Sequence, residues 1–105
     1  MLFRSIYGNG STASSGVNSS IGFIHYTMVA GSDTTSNVFG NTDIYIPNYT
    51  SSNYKSVSSD IVTENNATAV LSLLQSGLWS NTAAITSLKI IPGSGNIAAN
   101  STAYL

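Results

Sequence analysis

His25 is the single histidine of this 105-residue chain, and the chain has no cysteine. A zinc site would need carboxylates for all its other ligands, which is unusual. His25 therefore reads as a strand residue satisfied by a neighbour or by solvent, and no metal or cofactor is expected. Asp60 and Glu64 are the closest acidic pair along the chain. Glycoside hydrolysis needs two carboxyl groups about 5 to 9.5 Å apart, so this pair is the candidate for a polysaccharide-cleaving activity. Against it, Asp60 is expected at the end of a strand and Glu64 in the turn that follows. No apolar surroundings in the sequence suggest a pocket that would hold one of them protonated. Serine is abundant, but no G-x-S-x-G elbow positions one as a nucleophile. The expectation is a protein that is not an enzyme.

Binding chemistry is better represented. Tyr45, Tyr49, Tyr54 and Trp79 are the aromatics expected to reach a surface, since most of them fall near strand ends or loops. Aromatic faces beside Asn and Asp form a sugar-binding surface, so these four residues are the candidate glycan contacts. The competing reading makes them core or interface filler, because aromatics are enriched in both places. Five Asn-x-Ser/Thr sequons, at Asn9, Asn18, Asn48, Asn66 and Asn100, arise by chance in a chain so rich in these residues.

The elements that must position these side chains follow from composition. Only 7% of residues are charged, against about a quarter in ordinary domains. About two-fifths are Ser, Thr or Asn, side chains that compete with the backbone for hydrogen bonds and are poor in helices but suited to turns. Apolar residues at 42% exclude disorder. A net charge of −1 offers no basic patch for phosphates, so nucleic acid is not an expected partner. No run of about 18 apolar residues suggests a membrane span, and the apolar start is too short for a signal peptide.

Read in order, residues 2–7 form a short strand ended by Gly8-Asn9-Gly10, and residues 11–20 form a polar loop. Residues 21–30 are apolar on both alternating faces and read as a strand covered on both sides. Strands follow over 38–46, stopped by Pro47-Asn48, and over 54–62, where Val57 and Ile61 share a face with Ser59 between them. The apolar run 67–74 is a further, buried strand. Residues 87–91 and 101–105 alternate around Pro92-Gly93-Ser94-Gly95-Asn96 and read as a closing antiparallel hairpin. About seven to eight strands between Gly/Asn/Ser/Pro turns predict an all-β fold, an antiparallel β-sandwich of jelly-roll type in one domain. The chain opens on a strand and closes within one, so the expectation is either that the natural domain extends beyond residues 1–105 or that a neighbouring chain supplies the missing edge.

Tyr7-Gly8-Asn9-Gly10-Ser11-Thr12-Ala13-Ser14-Ser15-Gly16 resembles the YGNGSSASSG-type loop of a family of tailed-phage virion structural proteins, frequent in marine cyanophages. Asp43-Ile44-Tyr45-Ile46-Pro47-Asn48-Tyr49 is similar to that family's I-x-I-P-x-Y strand end. Ser76-Gly77-Leu78-Trp79 with Ala84-Ile85-Thr86-Ser87-Leu88 resembles its SGLW…AITSI segment, and Asn96-Ile97-Ala98 with Tyr104-Leu105 its final hairpin. The resemblance implies a non-enzymatic component of the phage particle, a tail, tail-fibre or head-decoration protein, located in the virion. Its implied partners are other copies of itself, in a homo-oligomer with a trimer favoured, and other virion proteins. A receptor- or glycan-binding tip contacting host-surface glycan is the alternative.

Overall fold

The structure, a computed structural model, describes residues 1–19, 38–64, 70–92 and 95–105. Five strands are present among them: β1 (Leu2–Gly8), β2 (Ala13–Ser19), β3 (Asn41–Tyr45), β4 (Lys55–Glu64) and β5 (Val70–Trp79). They form one sheet in the order β2-β1-β5-β4-β3, every neighbouring pair antiparallel. No helix occurs among the described residues. The fold is all-β. Strands β3, β4 and β5 form a meander, and β1 returns to lie beside β5. That is a Greek-key order with its long connection, which contains β2, placed first.

Alternation in β4 organises one face, here called the inner face. Lys55, Val57, Ser59 and Ile61 are all buried, while Ser56, Ser58, Asp60 and Val62 between them are exposed. The register carries the inner face across the sheet: Val57 pairs with Gly77 and Gly77 with Phe3, while Ile61 pairs with Leu73. Among the described residues, Phe3, Val57, Ile61 and Leu73 are the buried hydrophobic side chains. Phe3 fits there because Gly77 has no side chain. A Cβ at Gly77 would lie no more than 2.7 Å from Cδ1, Cε1 and Cζ of the Phe3 ring.

The β1–β2 hairpin is made by its turn. The Asn9 side-chain oxygen accepts hydrogen bonds from the Ser11 amide (3.1 Å), the Thr12 amide (2.8 Å) and the Thr12 hydroxyl (3.0 Å). The Asn9 amide donates to the Thr12 carbonyl at 3.2 Å. Gly10 takes a φ of 85°, which glycine adopts without a Cβ clash. This turn delivers residues 13–19 alongside β1, so the expected polar loop over 11–20 is instead mostly a strand. Its side chains are nearly all exposed, so no alternation marks it. It lies at one edge of the described sheet, held by backbone pairing alone.

Other boundaries shift for related reasons. β3 is shorter than 38–46, and Pro47 and Asn48 (φ 53°) end it as expected. β4 runs on to Glu64, so Asp60 and Glu64 both lie within a strand and not at a strand end and in a turn. Of the 67–74 run, residues 70–74 begin β5 and 67–69 lie outside the described residues; β5 continues through Ser76-Gly77 to Trp79 because β1 and β4 pair with it on both sides. The closing hairpin over 87–91 and 101–105 is not formed: neither range contains a strand. Leu88, Ile90, Ile91, Tyr104 and Leu105 are exposed. An alternating pattern makes a strand only when a partner ladder accepts it. The strand expected over 21–30, with His25, lies outside the described residues.

Candidate functional site

The four candidate glycan contacts do not share one surface. Tyr45 ends β3 opposite Ser58, on the exposed outer face. Trp79 ends β5 opposite Lys55, on the inner face. Tyr49 and Tyr54, in and at the end of the β3–β4 connection, are exposed. Trp79 is half-buried, and the Lys55 ammonium sits 5.3 Å from the centre of its ring, within cation–π range.

Lys55 holds this corner together. Its side chain is 1% exposed, yet a buried ammonium must be paired or hydrogen-bonded. Two carbonyls from the segment after β5 meet that need: the ammonium donates to Ala83 O at 2.6 Å and to Asn81 O at 3.3 Å. Asn81 shapes the segment by accepting the Ala83 amide on its side-chain oxygen at 2.8 Å. Ile85 then donates its amide to the Tyr49 carbonyl at 2.9 Å. Residues 80–85 are thus a strap fastened to the start of β4 and to the β3–β4 connection.

The outer face is built differently. Register places Tyr45, Ser58, Ser76, Arg4 and Val17 in one row across all five strands. The next row is Asp43, Asp60, Leu74, Ile6 and Ser15. Ile6, Val17, Leu74 and Tyr45 are each more than half exposed. Two shallow grooves run along this face on either side of Leu74, one reaching Arg4 and Val17, the other Asp43 and Tyr45.

Sequence reading paired Asp60 with Glu64, but the structure brings Asp43 directly opposite Asp60. Glu64 lies four residues farther along β4, about 13 Å at strand rise. Directly opposed like charges destabilise a sheet, and no ion pair or side-chain hydrogen bond joins Asp43, Asp60 or Arg4 to another residue among those described. Only the β3–β4 register could have revealed this pair. Both carboxylates are exposed on an open face, without the walls that exclude water around catalytic carboxylates. Among the described residues no group of three His, Cys, Asp or Glu side chains could hold a metal ion, and no helix is long and apolar enough to cross a membrane.

On the inner face, Ser59 Oγ and Gln75 Oε1 are buried without a hydrogen-bond partner among the described residues. These residues are directly opposed between β4 and β5, and they form a polar stripe between Val57 and Ile61. Compared with known proteins, the chain matches no protein-family model, no curated protein and no solved structure.

Proposed function

We propose that this chain is a non-enzymatic structural component of a tailed-phage particle, acting by assembly with copies of itself, a trimer being favoured, and with other virion proteins. The observation that carries the reading is the outer face of the sheet. Ile6, Val17, Leu74 and Tyr45 stay open to solvent on one face of a chain with only 7% charged residues to keep it soluble, and exposed apolar side chains gathered on one face mark an interaction site. The resemblance of the Tyr7–Gly16 and Ser76–Leu88 stretches to phage virion proteins supports the same reading. In the structure these stretches contain the β1–β2 turn capped by Asn9, the Gly77 seat for Phe3 and the strap under Trp79.

The finer fold belongs to this proposal. The Greek-key strand order is the usual connectivity of β-sandwiches and jelly rolls, so a complete domain of seven to eight strands in two sheets is the architecture proposed. Light scattering after size exclusion tests the assembly. A stable oligomer at micromolar concentration supports it, and a monomer throughout that range overturns it.

A second reading rests on Tyr45, Tyr49 and Tyr54, whose side chains are all more than half exposed. Exposed tyrosines suit a glycan-binding tip. Binding on a glycan array that is lost in Tyr49→Ala and Tyr54→Ala favours this reading, whereas binding lost only in Trp79→Ala points to the strap corner.

A further inference from the structure

We propose that the outer face of the sheet is a head-to-tail interface between copies of this chain, in which Arg4 of one copy lies against Asp43 and Asp60 of the next. The inference rests on the assembly reading above and names the surface that performs it.

The face is divided by β5 into two complementary halves. On the β1–β2 side it carries a cation, Arg4, among Ile6 and Val17; on the β3–β4 side it carries two anions, Asp43 and Asp60, beside Tyr45. Leu74 lies between them on β5. Two strand spacings, about 10 Å, separate Arg4 from Asp60 across the sheet, and no ion pair joins them within one copy. The opposed aspartates are an unfavourable pair as they stand, and an arriving guanidinium reverses the sign of that interaction.

The chain has only three Lys and Arg residues. Lys55 is buried under the strap and Lys89 lies in the segment after β5, outside the five strands, so Arg4 is the one of the three at an outer-face position of the sheet. Ser58 and Ser76 fill the positions between Tyr45 and Arg4. Their short side chains leave a trough beside the acidic pair in which an arginine from another copy can lie. The two grooves flanking Leu74 give the apolar side chains on each half a place to seat. A contact joining one half of the face to the other half of the next copy is heterologous, and such contacts build rings where the rotation closes and open filaments where it does not. A second copy is therefore the occupant that matches both the charge and the apolar pattern.

The test is sedimentation equilibrium of the full 105-residue chain and of Arg4→Asp, Asp60→Arg and the double exchange, with far-UV circular dichroism on each. Each single variant places like charges in contact and is expected to weaken association by about a hundredfold or more. The double exchange is expected to regain part of it, because Asp43 keeps its negative charge. In the unmodified chain, raising sodium chloride from about 0.05 to 0.5 M weakens association as the charges are screened, a readout that does not depend on any variant folding. A chain that is oligomeric but unmoved by the single exchanges and by salt overturns the placement of the interface and leaves assembly standing. A monomeric unmodified chain overturns both.

Discussion

Replacing Gly77 with alanine isolates the contact that seats the core aromatic. Gly77 has no positive φ, so its backbone accepts alanine without strain. In a strand, alanine is ordinarily better than glycine by roughly 0.5–1 kcal/mol, because glycine loses more freedom on folding. At this site the added methyl falls within 2.7 Å of three atoms of the Phe3 ring, and Phe3 is 2% exposed. Overpacking of this kind costs about 1–3 kcal/mol. The expected net result is a loss of about 1–2 kcal/mol, a sign opposite to the intrinsic preference. Trp79 is the sole tryptophan and lies two residues away on the same strand, so its fluorescence reports urea unfolding close to the change. With a slope of about 1–2 kcal/mol/M, the midpoint falls by about 1 M. Protein concentration must be equal in all samples, because association adds to apparent stability. A Phe3→Leu background removes the ring edge and returns at least half of the Gly77→Ala loss, appearing as a coupling energy in the double-mutant cycle. An unchanged or raised midpoint in Gly77→Ala alone would refute the contact.

Three further outcomes are expected. Lys55→Met keeps the apolar stem but removes the hydrogen bonds to Asn81 and Ala83 and the cation above Trp79; the strap loosens, and hydrogen exchange of the Ile85 amide accelerates at least tenfold while the amides of β5 stay protected. Ser59→Ala removes a buried hydroxyl that has no partner among the described residues, so stability is unchanged or rises by about 1 kcal/mol in urea unfolding, whereas a loss above 1 kcal/mol would mean the hydroxyl is hydrogen-bonded. Asn9→Ala strips the acceptor from three hydrogen bonds in the β1–β2 turn, costing about 1 kcal/mol and speeding exchange of the Thr12 amide, while Asn9→Asp keeps the acceptor and the protection.

The parts of the fold that could be read from the chain are those where side-chain burial imposes a period. Val57, Ser59 and Ile61 alternate with exposed residues, so β4 and its inner face were legible, and Asn9-Gly10 marked the first turn. β2 was not legible, since its Ser and Asn side chains are exposed on both faces and only backbone pairing with β1 makes it a strand. Residues 87–91 had the right alternation and no ladder to join. At the candidate site, composition pointed to the exposed tyrosines but not to the Asp43–Asp60 pair, which depends on how β3 registers with β4. Lys55 escaped notice because lysine is almost never fully buried. Its burial depends on carbonyls 26 and 28 residues later in the chain.

Sedimentation equilibrium of the unmodified chain, from low to high micromolar, bears most directly on whether the open outer face exists to be covered by other copies. Assembly predicts a species heavier than the 10.9 kDa monomer, about 33 kDa for the favoured trimer at three times 10.9 kDa, which dissociates when Leu74 at the centre of the face becomes Asp. A single 10.9 kDa species at every concentration, or an oligomer indifferent to Leu74→Asp, would contradict it.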